Sequence, residues 1–147
     1  MIPETRTTIL RLAKTLFGPA EWPHIETALE TCLPAHTQTL FVDGELCAFV
    51  IVNRTENGNA FFSYCGVSPL HQGKGYGSKL LKMAIHSIFQ VDYPAIQLYV
   101  DDWNKDARRL YERLGFKQVG VAHVAGSDCA VMELRNTHKS ESKTLSA

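Results

Sequence analysis

The sequence predicts an α+β domain with a mixed sheet: a helical start, an antiparallel meander, one βαβ crossover and a C-terminal hairpin. Three observations carry this. Asp43-Gly44 sits between two apolar runs, "QTLFV" and "ELCAFVIV", which is a strong hairpin signal. Leu80, Leu81, Ala84, Ile85 and Ile88 recur at helical spacing just after a glycine-rich stretch, "HQGKGYG". The run "AIQLYV" follows that helix, so a strand, a helix and a strand stand in succession.

The elements follow in order. Ile9, Leu12, Ala13, Leu16 and Phe17 make one helical stripe, broken by Gly18-Pro19. Ile25, Ala28, Leu29 and Cys32 make a second, stopped by Pro34. The β-branched residues of "TTILRL" also suit a strand, and the sequence leaves the two readings open. Thr39 to Val67 reads as three antiparallel strands, with "TENGN" as the second turn. Gly75 to Phe89 is helical, "AIQLYV" a strand, and "KDARRLYERLGF" a short helix ended by Gly115. "KQVGVAHV" and "CAVMEL" are strands around Gly126-Ser127. Residues 1–136 are expected to form one domain, and the polar, Ser-rich tail 137–147 to be disordered.

Composition narrows the function. Lys+Arg and Asp+Glu balance at 15 each in 147 residues, so no basic excess points to nucleic acid. No apolar run reaches the roughly 18 residues of a membrane span. Cys32, Cys47, Cys65 and Cys129 show neither C-x-x-C spacing nor a zinc pattern, so reduced thiols and no metal are expected. That favours a cytoplasmic protein. The start, "MIPETRTTILRLAKTLF", shares the Arg- and Thr-rich, acid-poor composition of an organelle transit peptide. The same residues form the core-facing stripe, so a structural element is the expected reading.

The glycine stretch fails two familiar phosphate patterns. Ser68 stands where a Walker A loop needs its first glycine, and Gly75 follows Lys74 where Ser or Thr belongs. From Gly73 or Gly75, a dinucleotide fingerprint would need its third glycine at Ser78 or Leu80. What remains is Gln72-x-x-Gly75-x-Gly77 behind Val67-Ser68-Pro69. Helix-start amides lack intrahelical partners and carry partial positive charge, so they suit a pyrophosphate wherever no Cβ intrudes.

A second motif gives that phosphate an owner. "NKDARRLYERLGF" places Asn104, Ala107, Tyr111, Gly115 and Phe116 at fixed spacing. Together with "VSPLHQGKGYGSKLL" it resembles the GNAT superfamily of acetyl-CoA-dependent N-acetyltransferases, best from Phe61 to Val119. The resemblance implies a GNAT-like fold with a bulge at Val67, whose amide would polarise the acetyl carbonyl or hold the pantetheine arm. The segment before Thr39 is short for the usual first strand plus two helices, so a reduced or absent first strand is expected. It implies that Val67, Ser68 and the backbone of Gln72, Gly73, Lys74, Gly75, Tyr76, Gly77 and Ser78 bind acetyl-CoA. Asn104 would contact the cofactor arm, and Tyr111 would stand near the thioester sulfur as proton donor. Lys79, Lys105 and Arg108 are within the same motifs and suit either phosphate contacts or a solvated face.

The resemblance implies direct acetyl transfer to an amine on a small molecule or peptide, by a monomer or homodimer. Its alternative is an acetyl-CoA-binding module without turnover, a sensor or a structural subunit. The general base is unassigned, because Phe61 and Tyr99 stand where some relatives carry Glu or His. Asp101, Asp102, His24, His36 and His71 are candidates, as is a water relay organised by Tyr99 or Ser63. Cys65 is expected to pack, on its apolar context.

Overall fold

Two helices with proline in their first turn open the chain, where a missing N–H costs nothing. In the computed structural model, which describes residues 1–137, they are α1 (Pro3–Leu16) and α2 (Trp22–Thr31). The helical reading of the N-terminal segment therefore holds over the strand reading. Thr7 and Thr8 fit the helix by donating their hydroxyls to the carbonyls of Pro3 and Glu4. Among the described residues no strand precedes Gln38. The tail expected to be disordered lies outside the described residues from 138 onward.

Six strands follow: β1 (Gln38–Val42), β2 (Glu45–Arg54), β3 (Ala60–Val67), β4 (Ala95–Asp101), β5 (Lys117–Val124) and β6 (Ser127–Arg135). They form one sheet in the order β1-β2-β3-β4-β6-β5. Helix α3 (Tyr76–Phe89) makes the crossover from β3 to β4, the parallel pair; the other neighbours are antiparallel. Helix α4 (Lys105–Arg113) links β4 to β5.

The two faces are covered unequally. On one, Leu80, Leu81, Ala84 and Ile88 of α3 and Tyr111 of α4 pack on Val50, Phe62, Leu98 and Met132. On the other, Ile9 and Ala13 of α1 and Ile25 and Leu29 of α2 cover Phe49 and Ile51 of β2, with Leu46 of β2 and Tyr64 of β3 at the margin. Full burial of such a side chain is worth about 1.5–3 kcal/mol. The approach of α1 is close: a Cβ on Gly66 would lie 2.5 Å from Leu16 Cδ1 and 3.2 Å from Phe49 Cε1.

Strand β3 carries a bulge. Ile51 pairs with Tyr64 but Val52 with Phe62, which leaves Ser63 as the extra residue. Ahead of it Ala60 and Phe62 face α3; beyond it Cys65 and Val67 do, while Tyr64 packs toward α1 and α2. One inserted residue thus reverses which residues of β3 point to which side.

Two of the hairpins, β1–β2 and β5–β6, have two-residue turns with positive φ, at Asp43-Gly44 (51° and 81°) and at Ala125-Gly126 (51° and 79°). The second turn lies one residue before the expected Gly126-Ser127. Gly126 takes the turn's second position, so Ala125 must occupy the left-handed region at the first. That conformation costs a residue with a Cβ about 1–2 kcal/mol, and Asn tolerates it better. Ala125→Asn should stabilise the fold by about 1 kcal/mol. The check is thermal unfolding, with a rise of about 3 °C expected.

Candidate active site

Strands β3 and β4 pair only at Ala60–Ile96 and Phe61–Gln97. Beyond that point β3 stays on β2 as far as Val67, and β4 stays on β6 as far as Asp101. Each strand is held by its outer neighbour while the inner edges part. Backbone groups on those edges lack a strand partner and are available to a ligand. A cleft of about 870 Å³ occupies this region, walled by the α1–α2 turn, the Ser63 bulge, the end of β4, α4 and the β5–β6 turn.

Val67 sits on the parted edge. The Ser68 amide donates to the Cys47 carbonyl at 2.8 Å, so alternation turns the Val67 amide and carbonyl toward the gap. Gln72 Nε2 donates to that carbonyl at 3.1 Å. The bulge expected at Val67 is absent there: Val67 pairs regularly with Ala48, and the register shift lies at Ser63. The parting of the strands alone leaves the amide without a sheet partner. Ser68, expected to bind cofactor, has its amide committed to β2.

The glycine stretch turns the chain into α3. Gly73 and Gly75 have φ of 78° and 81°, and nothing lies within 4 Å of where their Cβ atoms would be. Gly75 is the N-cap, and the Lys79 amide is the first to bond back, to the Gly75 carbonyl at 3.1 Å. The amides of Tyr76, Gly77 and Ser78 precede it and have no intrahelical acceptor. Tyr76 offers only its amide, because its ring packs on the core beside His71. Lys74 is exposed. Gly75, Ser78, Lys79, Lys82, Met83 and His86 line a second groove of about 570 Å³ on the outer side of α3.

Helix α4 supplies the floor of the gap. Asn104 Oδ1 accepts the Ala107 amide at 3.2 Å, the side-chain cap of this helix. The resemblance places that side chain on the cofactor; here its oxygen is committed to the cap, while the residue lines the cleft. Asp106 in the first turn and Arg113 in the last complement the helix dipole. Lys105 is exposed, and Arg108 donates to Gln118 and pairs with Glu112, so both serve the helix face.

Tyr111 is 9% exposed, with its hydroxyl 3.3 Å from Cys65 Sγ. The charge of a Cys65 thiolate, burial and the hydrogen bond all raise the Tyr111 pKa, so the phenol keeps its proton through the neutral range. Burial pushes the Cys65 thiol up as well, against the opposing pull of the Tyr111 hydrogen bond. Cys65 does more than pack, because the Ser63 bulge aims it at Tyr111.

The remaining candidates divide. Asp101 and His24 line the cleft; Asp102, His36 and His71 do not. Asp101 Oδ1 accepts both the Ser127 hydroxyl and the Cys129 thiol. His36 contacts Ser87 at 2.8 Å and packs edge-on against Tyr93, and burial lowers its pKa. His71 Nδ1 is buried without a partner among the described residues. The Ser63 hydroxyl is taken by Asn53, and Tyr99 packs edge-on against Phe61 at 5.0 Å. The sequence missed Glu21, which accepts the Tyr64 hydroxyl at 2.7 Å on the cleft wall. No spacing links residues 43 positions apart. Among the described residues no group of three or more His, Cys, Asp or Glu could hold a metal ion.

A parallel strand pair that opens above a glycine-started helix defines the class: an α+β fold with a cleft where its sheet parts. The chain matches the family model described as "Acetyltransferase (GNAT) family" over residues 8–116, and it belongs to that family. It is 45% identical over 56 residues to a mycothiol acetyltransferase of Thermomonospora curvata, a match covering 38% of this chain and 19% of that protein. The matched segment thus spans about a fifth of that relative. It is 29% identical over 104 residues to the spermine/spermidine N(1)-acetyltransferase of Bacillus subtilis, covering 65% of this chain and 68% of the relative. Its fold resembles Arabidopsis thaliana Naa50, solved with the bisubstrate analogue CoA-Ac-MVNAL, at a TM-score of 0.72 and 18% identity, over 91% of this chain and 94% of that one.

Tyr64, Tyr111, Cys65 and Cys129 hold their protons more tightly in the fold than their ordinary values of 10.0 and 9.0. Burial is the leading cause for Tyr64 and both thiols, and Cys129, also beside Asp101, is pushed up to about 11. The stability they confer is complete below those ordinary values. It declines as pH rises past them, because the unfolded chain ionises first. Urea denaturation should give a level midpoint between about pH 7 and 8 and a falling one above about pH 9. Tyr64→Phe should make that fall shallower relative to its own neutral value.

Proposed function

We propose that this chain transfers the acetyl group of acetyl-CoA directly to a primary amine of a small molecule or peptide. The observation that carries the reading is the buried Tyr111 hydroxyl beside Cys65 in the cleft, next to a β3 edge on which the Val67 amide is turned into the gap. Acetyl-CoA supplies an activated thioester. The open space at Gly73 and Gly75 and the unpaired amides of Tyr76, Gly77 and Ser78 fit its pyrophosphate. The Val67 amide, its carbonyl braced by Gln72, donates to the acetyl oxygen and stabilises the charge that develops there.

The acceptor nitrogen attacks the acetyl carbon, the C–S bond breaks, and Tyr111 gives its proton to the departing thiolate. The proton lost by the amine leaves to water through the open cleft, and Tyr111 is reprotonated from solvent. The names of the relatives support acetyl transfer, and in one case an amine acceptor.

Tyr111→Phe should lower kcat by about 100-fold with little change in the KM for acetyl-CoA. Release of free CoA with a panel of amines is the measurement, and undiminished turnover would remove the proton-donor role. The rate with aliphatic amines should rise from pH 7 to 10. A lysine-like amine is neutral in only about one molecule per thousand at pH 7, and Tyr111 keeps its proton throughout. A descending limb that begins below about pH 9 would contradict this.

A further inference from the structure

The cleft is electrically one-sided. Asp101 on the β4 wall and Glu21 on the α1–α2 wall line it together with His24, and among the described residues no Lys or Arg does. The second groove, beside the glycine turn, has the opposite character, with Lys79, Lys82 and His86. The two carboxylates are built into their walls. Glu21 Oε2 accepts the Tyr64 hydroxyl. Both donors to Asp101 fall on Oδ1, and among the described residues Oδ2 has no hydrogen-bond partner.

Between these carboxylates the walls are aromatic. Phe61 and Tyr99 form an edge-to-face pair, and Tyr99 and Trp103 are 48% and 72% exposed. Aromatic faces accept methylene chains and cations alike. A neutral acceptor would leave both carboxylates without a counter-charge, and an anionic one would meet repulsion from both walls.

We infer that the acceptor is an aliphatic amine bearing at least one further ammonium group, held by Asp101 and Glu21 while the reacting amine enters the gap between β3 and β4, beside Tyr111. This rests on the acetyl-transfer reading above and deepens it. The non-reacting ammonium donates to the Asp101 Oδ2 or Glu21 carboxylate oxygens, and the chain between the amines lies on Tyr99 and Trp103. The segregation also separates the two substrates. The acetyl donor, rich in phosphate, meets lysines, and the cationic acceptor meets carboxylates.

The test compares 1,4-diaminobutane and 1,6-diaminohexane with butylamine, hexylamine, 4-aminobutyrate and a triglycine peptide, all with saturating acetyl-CoA. At least one diamine should exceed its length-matched monoamine by about tenfold or more in kcat/KM, and 4-aminobutyrate should be the poorest acceptor. In Asp101→Asn, Glu21→Gln and the double variant, the diamine-to-monoamine ratio should fall toward one. Calorimetric binding of acetyl-CoA reports that each variant is folded. Equal kcat/KM for diamines and monoamines, or a preference for triglycine or 4-aminobutyrate, overturns the inference and leaves acetyl transfer standing. Binding of acetyl-CoA with no CoA released by any amine overturns the acetyl-transfer reading and this inference with it.

Discussion

Everything in the cleft depends on how little β3 and β4 touch. Two paired positions, Ala60–Ile96 and Phe61–Gln97, fasten the halves of the sheet at one end. Each half is rigid, because β3 is laddered to β2 and β4 to β6 along their lengths. The parting exposes backbone groups in a strand interior, where a continuous sheet would have paired them. A ligand that supplies hydrogen bonds there replaces a missing strand, and the binding surface is set by rigid elements on both sides.

Around that gap the helices take separate duties. The start of α3 presents amides freed by left-handed glycines, and α4 presents a phenol from a capped helix. Helices α1 and α2 cover only the β2 side of the opposite face, which leaves β4 as a wall of the cleft. Ser63 couples the two faces. Its hydroxyl is fixed by Asn53, and Asn53 in turn donates to the Ala28 carbonyl and the Thr31 hydroxyl of α2. The bulge that turns Cys65 toward Tyr111 is thereby tied to the α2 side of the cleft.

Much of the fold was legible because it is local. The stripes Ile9–Phe17, Ile25–Cys32 and Leu80–Ile88 became the buried faces of α1, α2 and α3. Asp43-Gly44 became the left-handed turn its composition favours. The second hairpin slipped by a residue because "AGS" offers one glycine to a turn needing two positive φ angles, and only the pairing with β6 settles which neighbour shares it. In "HQGKGYG" the glycines were legible as a turn into a helix, since freedom from Cβ is a property of the residue itself.

The sequence by itself determined the element types, the antiparallel meander, the crossover and the two motifs that point to an acetyl-CoA fold. These follow from periodicity and from backbone rules that act over a few residues. Only the tertiary structure decided where the strand register slips, that the Val67 amide is released by separation of strands rather than by a bulge, and that Cys65 meets Tyr111. It alone placed Glu21 and Asp101 across one cleft. A one-residue insertion in a strand has no signature in an apolar run, yet it reverses every side chain beyond it. Contacts between residues tens of positions apart exist only once the sheet has been assembled.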